Sequence, residues 1–89
     1  MAVSDQDLTD LAADELAQAL SLSWLELSRV TPWGDTYDAL APGGDEVEVE
    51  RNYLWFKDEG GDVLVEVTAR HGAREAQAFG VVRKGAKEQ

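Results

Sequence analysis

The sequence contains no cysteine, one histidine and two prolines, and it sets only eight bases against eighteen acids. Without cysteine there can be neither a disulfide framework nor a thiolate metal site. The lone histidine, His71, sits beside Gly72 in what reads as a turn. It lacks the neighbours at defined reach that general-base or metal chemistry requires. No apolar run approaches the ~18 residues that a membrane-spanning helix needs. The opening residues Met1-Ala2-Val3-Ser4-Asp5 show no basic stretch followed by an apolar one, so no secretory leader is expected and the location reads as cytoplasmic. No phosphate-binding glycine loop, nucleophile elbow, HExxH or paired Cys/His spacing occurs. The expectation is therefore of a protein that is not an enzyme, with no cofactor and no bound metal.

The shortage of bases is uneven. Residues 1–66 hold sixteen acids and three bases, whereas residues 67–89 hold two acids and five bases, for a net charge of −10 overall. Phosphate contacts need lysine and arginine to displace counterions, so neither nucleic acid nor an anionic membrane is an expected partner. A basic protein partner is compatible with this field; acidity that simply keeps a small protein in solution is the competing explanation. Alanine, glycine, valine and aspartate are plentiful and arginine outnumbers lysine, a codon signature of a GC-rich bacterial genome.

What remains is an ordinary globular composition in 89 residues, enough for one domain with one core. Ser4 and Asp7 have capping-box spacing, and Asp5, Asp7 and Asp10 suit the positive end of a helix. Leu8, Leu11, Ala12, Leu16, Ala19, Leu20 and Leu27 recur at three- and four-residue steps. They predict one helix running to Thr31-Pro32, where the residue before proline leaves the α region. Leu20–Trp24 alternates with period two, so a strand over 21–30 stays open. Residues 31–45 contain both prolines and three glycines and read as a long loop.

Three strands follow over 46–56, 63–70 and 73–83, joined by turns at 58–62 and His71-Gly72. A two-residue turn there sets Val67, Val65 and Val63 opposite Ala76, Ala78 and Gly80, a valine column beside a column of small residues that a helix can approach closely. The hairpin at 58–62 leaves two registers open. A three-residue loop puts Tyr53 and Trp55 on the valine face, and a two-residue loop puts them on the far face beside Leu64 and Phe79. The fold expected is α+β, an N-terminal helix packed on a three-stranded antiparallel β-meander (α-β-β-β), with residues 1–4 and 84–89 frayed. Its core comprises Leu8, Leu11, Leu16, Leu20, Trp24, Leu27, Val63, Val65 and Val67. Double-stranded-RNA modules share this element order, but the acidic charge speaks against that use.

One helix covers one side of a sheet, yet Tyr53-Leu54-Trp55-Phe56 sends bulky groups to both. The second side needs the 31–45 loop with Trp33 and Tyr37, a second copy of the chain, or a partner. Glu46, Glu48 and Glu50 share one strand face, either as a charged guard against aggregation or as an acidic stripe for a basic partner. Asp35, Asp38, Asp45 and Glu46 offer the oxygen ligands that hard cations take, but their spacing matches no calcium loop, and solvated, turn-forming carboxylates explain them better. The leading expectation is an acidic protein-interaction module (inhibitor, antitoxin-like or assembly protein), a homodimer using Trp33, Tyr37, Glu46, Glu48, Glu50, Tyr53, Trp55 and Phe79. The alternative is a small-ligand or divalent-metal-binding domain closing the 31–45 loop over a pocket.

Overall fold

A computed structural model describes residues 3–85. Two helices, α1 (Asp5–Leu20) and α2 (Trp24–Val30), precede four strands, β1 (Gly34–Leu40), β2 (Glu46–Trp55), β3 (Val63–His71) and β4 (Arg74–Val82). The strands form one antiparallel sheet in the order β1-β2-β3-β4, and the class is α+β.

The expected single helix is two. Ser4 caps α1, its side chain accepting from the Asp7 amide while the Asp7 carboxylate accepts from the Ser4 amide. The chain breaks at Ser21-Leu22 and restarts at Ser23, which builds a second reciprocal capping box with Glu26. Ser-x-x-Glu thus decides the 21–30 segment as helix with a new beginning. Thr31 closes α2 by donating its hydroxyl to the Leu27 carbonyl at 2.8 Å. The Thr31-Pro32 peptide is cis.

The second correction is a fourth strand. Residues 34–40, expected in a loop, pair with β2 from Gly34 opposite Asn52 to Leu40 opposite Glu46. The turn that makes this possible is Pro42-Gly43-Gly44. The Gly44 amide bonds to the Ala41 carbonyl, the Ala41 amide bonds to the Asp45 carbonyl, and Gly44 has φ +91°. A tight three-residue hairpin of this kind needs a glycine at its left-handed position.

The third correction is the register of the last hairpin. His71 pairs with Arg74, so the turn is Gly72-Ala73 and Val63, Val65 and Val67 face Val82, Gly80 and Ala78. Gly72 alone has positive φ here, at +62°. A two-residue turn with glycine first keeps histidine out of a left-handed conformation. The slip is two residues, so every side chain keeps its expected face. In the β2–β3 hairpin Trp55 faces Val63 and Tyr53 faces Val65, which puts both aromatics on the valine side.

On that side Val47, Val49, Val63, Val65, Val67 and Ala69 are fully buried with Leu8 and Leu27. Leu11, Leu16, Leu20 and Trp24 are half-buried around them, and Val3 is buried at the start of the chain. Of the segments expected to fray, residues 1–2 and 86–89 lie outside the described residues. Helix α1 lies across β3 and β4. There Ala76, Ala78 and Gly80 leave room, and a Cβ on Gly80 would stand 2.9 Å from the Leu20 Cδ1. The Trp24 indole donates to the Gly61 carbonyl at 2.7 Å, and the Asp62 carboxylate accepts from the Lys84 amide at 3.0 Å. These bonds tie α2, the β2–β3 loop and the end of β4 into one corner.

Two glycines make contrasting predictions. A Cβ on Gly34 would meet the Arg51 backbone carbonyl at 2.6 Å, and the strand itself would have to shift. Gly34→Ala should lower the unfolding free energy by about 2 kcal/mol, the scale of overpacking. Gly80→Ala meets only the tip of a leucine side chain and should cost under about 1 kcal/mol, partly offset by lower chain entropy in the unfolded state. Urea titrations of both variants check the order; equal losses would show that β1 adjusts freely.

Candidate functional site

Both helices contribute to the core on the valine face, and among the described residues nothing covers the opposite, outer face of the sheet. The pairings order that face into rows. Leu54, Leu64 and Val81 form one, then Asn52, Glu66 and Phe79, then Thr36, Glu50, Thr68 and Gln77, then Asp38, Glu48, Arg70 and Glu75, and last Leu40 with Glu46. One end is apolar and the other acidic. Phe79 is 69% exposed, and Leu54 and Val81 about 40%. The face carries six carboxylates and one guanidinium, Arg70.

Arg70 organises the acidic end. Its Nη1 lies 2.6 Å from Glu50 and 3.4 Å from Glu48, and its Nε donates to Glu75 at 3.0 Å. Hydrogen bonds from Asn52 and then Arg70 hold the Glu50 carboxyl below the usual carboxylate range. Arg70 is in turn held protonated more firmly than a free guanidinium. Glu48 and Glu50 are thus gathered around a cation, which leaves Glu46, Asp38 and Glu66 to extend the negative field. Thr68 is buried beneath this network and accepts weakly from Gln77 at 3.4 Å.

The expected binding residues divide between the two faces. Glu46, Glu48, Glu50 and Phe79 stand together on the outer face. Tyr53 is buried on the helix side, and Tyr37 and Trp55 are half-buried there. Trp33 precedes β1, is 70% exposed, and offers its carbonyl to the Tyr53 amide at 2.8 Å. The 31–45 segment therefore does not cover the outer face; its residues are spent on an edge strand. The residues not singled out in advance are Arg70, Leu54, Glu66 and Val81. Their signal was their even or odd place in strands that alternate, once β2, β3 and β4 are registered.

The carboxylates of that segment do not converge. Asp35 pairs across the strand with Arg51 on the helix side, while Asp38 is on the outer face. Arg51 grips Asp35 through Nε (2.8 Å) and Nη2 and lies over the Tyr37 ring at 4.8 Å. That bidentate bond pulls the Asp35 carboxyl below its ordinary value. Among the described residues no group of three or more His, Asp or Glu side chains could hold a metal ion. His71 ends β3, with its Nδ1 3.2 Å from the Glu46 carbonyl. Among the described residues no helix is long and apolar enough to cross a membrane.

Comparison with protein-family models, curated proteins and solved structures finds no match to the chain.

The tyrosines give this side a pH signature. Burial, and then a hydrogen bond to Glu15 of α1, raise the Tyr37 phenol above its usual 10; burial does the same for Tyr53. An acid whose folded pKa is raised contributes stability that is complete below its unfolded pKa and lost as pH rises through the folded value. The folded protein should therefore show less tyrosinate absorbance at pH 10 than the unfolded chain, which is half ionised there. Ionisation should arrive together with loss of structure at higher pH. Normal titration of both rings in a still-folded protein would contradict the burial described.

Proposed function

We propose that the chain is a non-enzymatic protein-interaction module that presents the outer face of its sheet to a basic protein. The observation that carries this reading is the division of an uncovered face into an apolar corner and an acidic field. Interfaces of this kind combine a desolvated apolar centre, which supplies affinity, with charges that steer the approach and fix orientation. Phe79, Leu54, Leu64 and Val81 supply the first element. Glu46, Glu48, Glu50, Asp38 and Glu66 supply the second. Arg70 ties down Glu48 and Glu50, so their side chains lose less freedom when a cation docks.

A photo-crosslinking residue at Leu54, with the same residue at Gln18 on the solvent side of α1 as comparator, tests the surface in native cells. A basic protein should be captured from Leu54 and not from Gln18. With Glu46, Glu48 and Glu50 all changed to Gln, the purified pair should bind roughly tenfold more weakly, on the scale of a tenfold change per 1.4 kcal/mol. Equal capture from both positions, or binding indifferent to the triple change, would sink the proposal.

A further inference from the structure

The sheet has two open edges, and they differ in chemistry. β1 carries Asp35 and Asp38, and residues 34–55 hold six acids and one base. Charges along an edge are how natural sheets prevent strand addition. β4 has no such guard beyond its first two residues, Arg74 and Glu75. From Ala76 to Val82 it has no charge and no proline, and residues 70–84 hold four bases and one acid. This is the least acidic stretch of a strongly acidic chain. Among the described residues, β4 pairs only with β3.

The His71–Arg74 pair closes a two-residue turn, so those two residues exchange hydrogen bonds and the alternation continues along β4. It turns the N–H and C=O of Glu75, Gln77, Phe79 and Val81 toward the open edge. Three donors and three acceptors in one uncharged run, with those of Glu75 just before it, are a template for another strand. The flank of α1 above this edge is placed by two contacts. Asp5 reaches Arg74 at 3.2 Å, and Leu20 approaches Gly80. Between them Thr9, Ala13 and Leu16 continue the same flank at helical spacing, without charge. Of the other acids of α1, Asp7 and Asp14 fall on the opposite flank at helical spacing, Asp10 is exposed and Glu15 is half-buried.

We propose that β4 pairs antiparallel with β4 of a second copy about a two-fold axis, joining two sheets into one of eight strands. A second copy suits the edge better than an unlike strand because the edge complements itself. Registers centred on Ala78 and on Phe79 both bring the outward-facing groups together. The second also sets Glu75 of each copy opposite Arg83 of the other, and it is the register adopted here. Arg74, which then lies near Lys84 of the other copy, already has Asp5 as its counter-charge. With strands about 4.8 Å apart, two helices that each straddle β3 and β4 come within about 10 Å, the ordinary distance for helix packing. Their facing flanks carry no charge between Asp5, which is paired with Arg74, and Leu20. The acids of β2 and β1 stand two and three strand spacings from the joint, roughly 10 Å or more, beyond the Debye length of about 8 Å at physiological salt. The interface joins the two apolar corners across Phe79 while leaving both acidic fields open at the ends. The pairing does not rest on the basic-partner reading, because it requires only the purified chain.

Because the chain has no cysteine, single cysteines report contacts cleanly. Sedimentation of the full chain should show a monomer–dimer equilibrium that goes no further. Phe79→Cys should form an intermolecular disulfide on mild oxidation, and Thr36→Cys on β1 should not. Phe79→Lys should keep the wild-type circular dichroism, since the ring is 69% exposed, and weaken the dimer at least tenfold. Monomer mass up to millimolar concentration would overturn the proposal. So would crosslinking through Thr36 rather than Phe79, or masses growing past the dimer as β1 of one copy added to β4 of the next.

Discussion

The close approach of α1 to the sheet is the contact on which the rest of the structure depends. It is possible because β4 brings Ala76, Ala78 and Gly80 beneath the helix, while β3 brings Val65 and Val67 beside them. Small residues under the helix let its leucines reach the valines, and burial of that surface is the largest favourable term such a small chain has. The same arrangement spends all the helical cover on one face. The two helices use their apolar residues against the valines, and among the described residues the other face has no second layer. A sheet of four strands and two short helices thus leaves a surface open by construction, and the chain fills it with charge at one end and apolar side chains at the other.

Much of this was readable from alternation. The valine face, the small-residue column and the first helical cap follow from period and spacing, and each is found in place. The breaks were harder to read. Leu20–Trp24 looks continuous until Ser23 and Glu26 are taken as a second capping box. β1 hides because a short strand with two aspartates, ringed by Pro32, Gly34, Pro42, Gly43 and Gly44, has the composition of a loop. Its strand character comes from pairing with β2, a tertiary effect that local propensity cannot report. The slip in the last hairpin has a local cause: Gly72 is wanted at the first turn position, and placing His71 there costs backbone strain. Four of the residues expected to bind a partner assemble on the outer face through parity alone. Tyr53 and Trp55 took the valine face, one of the two the sequence left open, and Tyr37 followed through its pairing with Val49 in a strand that the sequence did not reveal.

The charges follow the layers. On the helix side Arg51 is held between Asp35 and Tyr37, where the guanidinium plane meets both a carboxylate and a ring face. On the outer side Arg70 of β3 draws two glutamates of β2 and one of β4 into one network. Exposed ion pairs of this kind add little to stability individually. Their larger effect is on shape: they fix where negative charge stands and leave β4 nearly neutral between its ends.

The ion pair of Asp5 with Arg74 has a kinetic meaning as well. It joins the beginning of α1 to the beginning of β4, with almost the whole chain between them. Each hairpin closes over a few residues, but this helix must close a loop of nearly seventy before it meets its strand. The entropy of that closure grows only with the logarithm of length, by about 0.6 kcal/mol for each doubling. The contacts of highest sequence separation are nonetheless those that the apolar core requires. The meander is the locally encoded part of the molecule, and helix docking is the step whose rate the length of the intervening chain sets.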